Sequence, residues 1–83
     1  MTSWGYAFEP ADLADGLPPG VLAEVERVAT ELAELGPDAE QVGEPEGRSG
    51  GLRTLHLRDC PGFFLFLVGR PTQEIVIVQV TAL

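Results

Sequence analysis

Hydrophobic positions recur in two different rhythms along this chain. From Pro19 to Leu35 they fall every three or four residues, at Val21, Leu22, Val25, Val28, Ala29, Leu32 and Leu35. That spacing predicts one amphipathic helix with a single buried stripe. Gly36-Pro37 stops it, and Pro19 suits its first turn. In the last third the rhythm shortens to three apolar runs of strand length, Leu52–Leu57, Phe63–Val68 and Ile75–Val80. Asp59-Cys60-Pro61-Gly62 and Gly69–Glu74 supply turns between them, so the runs predict a β-meander. Upstream, Trp4-Gly5-Tyr6-Ala7-Phe8 alternates large and small and reads as a strand with its aromatics on one side. Pro10 to Gly16 reads as a short helix. Together these elements predict an α+β fold: an antiparallel sheet of about four strands, with the short helix and the long helix packed on one face.

Parity along the three runs divides the sheet into two faces. Leu55, Leu57, Leu65, Leu67, Val76, Val78 and Val80 form an aliphatic set expected under the helix. Thr54, His56, Arg58, Phe64, Phe66, Val68, Ile75, Ile77 and Gln79 form a mixed set with no helix left to cover it. The mixed face is therefore the expected partner-binding surface, with Phe64, Phe66, Ile75, Ile77 and Gln79 as its binding residues. A slip of one residue in strand pairing would exchange the faces.

Composition sharpens the function classes. The chain has 83 residues, enough for a single domain over 1–83 with a thin core, and 45% of them are apolar. The segment from about 37 to 51 is rich in Gly, Pro and Glu and is expected to be a flexible loop. Thirteen acidic residues oppose five basic ones, for a net charge of −8. All five cations are arginines (Arg27, Arg48, Arg53, Arg58 and Arg70), and lysine is absent. Such a field repels nucleic acid and favours a basic partner or plain solubility. No run is long enough to span a membrane, and Met1–Trp4 lacks the charged and apolar regions of a signal peptide, so a cytoplasmic protein is expected. One cysteine, Cys60, and one histidine, His56, are too few for a disulfide framework or a metal centre. No glycine motif for phosphate is present, and no cofactor is expected.

The order strand, short helix, long helix, glycine-rich loop and three-stranded meander resembles the RelE/ParE toxin superfamily. Local matches are the aromatic opening strand before Pro10-Ala11-Asp12-Leu13, Leu17-Pro18 ahead of the long helix, and Gly51-Leu52-Arg53-Thr54-Leu55 entering the meander. Gly62-Phe63 and Ile75-Val76-Ile77-Val78 continue the match, which covers Tyr6 to Val80. The resemblance implies a toxin of a bacterial toxin–antitoxin pair, with a cognate antitoxin as its protein partner. It also implies, for the nuclease branch, ribosome-dependent mRNA cleavage, and Arg53 matches a basic position of that branch. The strand position that is often arginine in the family is Phe64 here.

His56 is the one side chain suited to general acid–base work near neutral pH, and Arg53 and Arg58 flank it as phosphate-binding candidates. These three form the candidate catalytic set. With so few cations, binding is expected ahead of RNA cleavage. A non-toxic homodimeric module with the same fold is a third reading.

Overall fold

A computed structural model describes residues 3–47 and 51–83. The long helix, α1, runs Pro19–Leu35, as its periodicity predicts. Gly36 ends it in a left-handed conformation (φ 61°), and its N–H donates to the carbonyls of Ala33 and Leu32. That geometry is open to glycine at little cost, and it turns the chain sharply off the helix axis. A 3₁₀ segment, Ala11–Gly16, stands where the short helix is expected.

The strands are β1 (Gly5–Phe8), β2 (Glu44–Pro45), β3 (Arg53–His56), β4 (Gly62–Gly69) and β5 (Glu74–Ala82). They form one five-stranded sheet in the order β1-β5-β4-β3-β2. Two expectations change here. The sheet is mixed, because β1 lies parallel to β5 while the other pairs are antiparallel. The 37–51 segment also carries structure: a second 3₁₀ segment, Gly36–Gln41, and then β2 on the edge of β3. Arg70 grips Glu40 in that 3₁₀ segment through two hydrogen bonds of 2.8 and 3.0 Å. Residues 48–50 of the expected loop lie outside the described residues.

The predicted faces are exchanged. Phe64, Phe66, Ile75 and Ile77 have no exposed surface and sit in one core cluster with Val25, Ala29 and Leu32 of α1. They are the inside of the protein and cannot be its binding surface. Two register features also change which residues share each face. Leu55 pairs with Phe64 and His56 with Phe63, one residue away from the predicted alignment. Leu55 and Leu57 therefore do face the helix, but in company with the phenylalanines. A bulge between Leu65 and Phe66 then matches Leu65 to Gln79 and Phe64 to Val80, leaving Val78 as the extra residue. Val80 joins the core side and Gln79 moves to the opposite face. Small residues on α1, Ala29 and Ala33, bring helix and sheet close and leave room for the large rings.

β1 follows the same logic. Trp4, Tyr6 and Phe8 pack against the core, so the aromatic side, rather than Gly5 and Ala7, lies under the helices. Leu13 and Leu17 near the first 3₁₀ segment, and Ala39 and Val42 near the second, join the cluster too. All described helical segments thus cover one side of the sheet. The other side is left open.

Gly43 shows how tightly β2 approaches β3. Its φ is 77°, and a Cβ there would run into the Thr54 carbonyl oxygen. Gly43→Ala is expected to cost about 2 kcal/mol through strain and displacement of the edge strand, read as a lower denaturant midpoint.

Candidate functional site

The chemistry-bearing residues gather where the β3–β4 turn meets α1. Glu24 lies on the buried stripe of the helix, between Val21 and Val25, and is only 5% exposed. Both of its carboxylate oxygens are used. Oε1 accepts from Arg27 at 2.8 Å, and Oε2 accepts from the backbone N–H groups of Arg58 (3.1 Å) and Asp59 (3.4 Å). Hydrogen bonding by the Arg27 guanidinium, helped by these backbone donors, holds the Glu24 carboxyl at about 2, well below its ordinary 4.5. Arg27 also pairs with Glu31 at 3.0 Å and reaches Asp59 at 4.0 Å. The helical spacing predicts both pairings of Arg27 with glutamate. It does not distinguish Glu24 from the solvated glutamates, although a carboxylate inside the apolar stripe is a readable signal of a buried acceptor.

Beside this anchor a cleft of about 160 Å³ opens between α1, Val42 and the end of β3. Val28, Leu32, Leu35, Val42 and Leu55 give it an apolar floor, Arg27, Glu31 and Arg58 give it a charged rim, and the end of β3 at His56 closes it. Two of the three candidate catalytic residues, His56 and Arg58, border this cleft, but the His56 ring lies on the other side of the sheet against Phe63. The third, Arg53, does not line the cleft. Its Nε and Nη2 donate to the carbonyls of Val42 and Gly43 at 2.6 and 2.9 Å, so this guanidinium clamps the chain entering β2.

The open face of the sheet is the second candidate. Register places Ala7, Val76, Leu67, Leu65 and Phe63 across its middle. Thr54, His56, Gln79 and Thr81 lie around them. The ring of His56 stands 5.8 Å from that of Phe63, Thr54 bonds Glu46, and Gln79 bonds Thr81. Of the five expected binding residues only Gln79 belongs to this face. Parity alone predicts Leu65, Leu67 and Val76 under the helix, and no feature of the runs themselves marks which parity is covered. Compared with known protein families, curated proteins and solved structures, the chain matches none.

Proposed function

We propose that this chain is a RelE/ParE-like protein of a toxin–antitoxin type system, acting by binding a protein across the open face of its sheet. The observation that carries the reading is that face itself, with an apolar centre, a polar rim and all described helical segments on the other side. The reading also draws on the resemblance carried by the order of elements, an aromatic strand, short and long helical segments and a meander. Charge favours a basic partner. The protein carries −8 overall, Arg27 and Arg70 are in ion pairs, and Arg53 is held by backbone carbonyls. A cognate antitoxin with a cationic, amphipathic docking segment fits these conditions.

Production of the chain alone in bacterial cells is expected to arrest growth, and unimpaired growth overturns the toxin reading. Leu67→Glu, which places a charge in the middle of the open face, is expected to relieve the arrest while leaving the circular dichroism spectrum unchanged. Arrest that persists in this variant removes the open face from the reading. A second reading, mRNA endonuclease, draws on His56 and Arg58 standing two residues apart at the end of β3. It expects ribosome-dependent RNA cleavage that disappears in His56→Ala.

A further inference from the structure

A second cleft lies at the C-terminal end of α1, where the helix meets the start of β1, and shares Leu35 with the first. Its volume is about 540 Å³. Trp4 and Tyr6 supply aromatic walls, Leu35 an apolar lip that is 47% exposed, and Thr30 and Glu34 a polar side. The indole of Trp4 packs over Gly36, where a Cβ would sit 3.4 Å from Nε1, so the bare helix terminus forms part of the wall.

Among the described residues that line this cleft, the charged one is acidic. Glu34 lines it, and Glu26, two turns earlier on the same helical stripe, acts on Tyr6, where burial and then the Glu26 carboxylate push the hydroxyl pKa up. The last turn of α1 contains no basic residue, so the carbonyl end of the helix dipole is not neutralised there. Among the described residues, no arginine lines the cleft. Aromatic faces together with negative potential select a cation, and the apolar lip selects one carried on a hydrocarbon stem.

We propose that this cleft binds an ammonium or guanidinium group on an apolar stem, with the cation between Glu34 and the rings of Trp4 and Tyr6. The proposal does not depend on the open face or on the toxin reading. The group has two sources, a free organic amine or a lysine or arginine side chain of another protein.

Trp4 is the only tryptophan, so its fluorescence reports on this cleft alone. Titration with n-butylammonium and n-butylguanidinium is expected to give a saturable change, while n-butanol and butyrate give none. Glu34→Gln, an exposed substitution, is expected to weaken the cations roughly 5-fold. A capped Leu-Arg-Leu peptide that binds more tightly than butylguanidinium assigns the site to a partner's side chain, and one that binds more weakly assigns it to a free amine. Butanol or butyrate binding as well as butylammonium overturns the proposal, as does cation binding that Glu34→Gln leaves unchanged.

Discussion

Glu24→Ala is expected to lower the melting temperature by roughly 10 °C at pH 7, the largest effect of any single charge removal in this protein. The reason lies in what the carboxylate holds. It joins the middle of α1 to a turn more than thirty residues away, and its two oxygens have separate partners, a guanidinium and a pair of backbone amides. Removing it leaves those amides without their acceptor in a half-enclosed corner and frees Arg27 from one of its carboxylates. Glu24→Gln keeps an acceptor for the amides and loses only the charge, so it falls between the wild type and Glu24→Ala. The effect also has a pH signature. A carboxyl whose folded-state pKa is depressed from 4.5 to about 2 stabilises the fold fully above the higher value. That contribution is lost as the pH falls from about 4.5 to about 2. The difference in stability between wild type and Glu24→Gln should therefore shrink across that window, and thermal melts at several pH values measure it. A difference that stays constant down to pH 2 would show that the Glu24 charge plays no part in holding the turn.

The same residue marks where sequence reasoning stops. The helix is legible because seventeen residues of three-and-four spacing bounded by Pro19 and Gly36 leave no competing structure. The strands are legible for a similar reason, since β-branched and aromatic runs lie between turn residues. Their faces are not legible. Both parities of β4 and β5 are apolar, and nothing local favours the phenylalanines over the leucines for the interior. The choice is made by volume, because a helix that presents Ala29 and Ala33 must be met by large side chains. The bulge at Leu65/Phe66 has no sequence marker either, yet it alone moves Gln79 to the open face. Parallel pairing of β1 is likewise a tertiary outcome, fixed where its aromatic side meets Ile75 and Ile77. For the candidate site, His56 and Arg58 stand two residues apart and both border the cleft beside α1, but the His56 ring turns to Phe63 on the open face. Arg53 is separated from them because its side chain finds backbone carbonyls on the β2 side first.

A pair of neighbouring substitutions discriminates the two face assignments with the largest stability change expected here. Phe66 and Leu67 are consecutive in β4, so their side chains point to opposite sides of the sheet. Phe66 is fully buried in the cluster with α1, whereas Leu67 is half-buried and pairs with Val76 on the open face. Phe66→Ala should cost about 3–5 kcal/mol, since it removes a large ring and leaves a cavity that Ala29 and Ala33 are too small to fill. Leu67→Ala should cost about 1 kcal/mol or less, because no second layer packs on it. Urea unfolding of the two variants measures both values in one experiment. The opposite order, with Leu67→Ala the more damaging, would return the leucines to the interior and the phenylalanines to the surface. The consequence reaches function directly. If Leu67 tolerates truncation while Leu67→Glu relieves growth arrest, the leucine serves binding rather than stability, and the uncovered side of the sheet is where a partner docks.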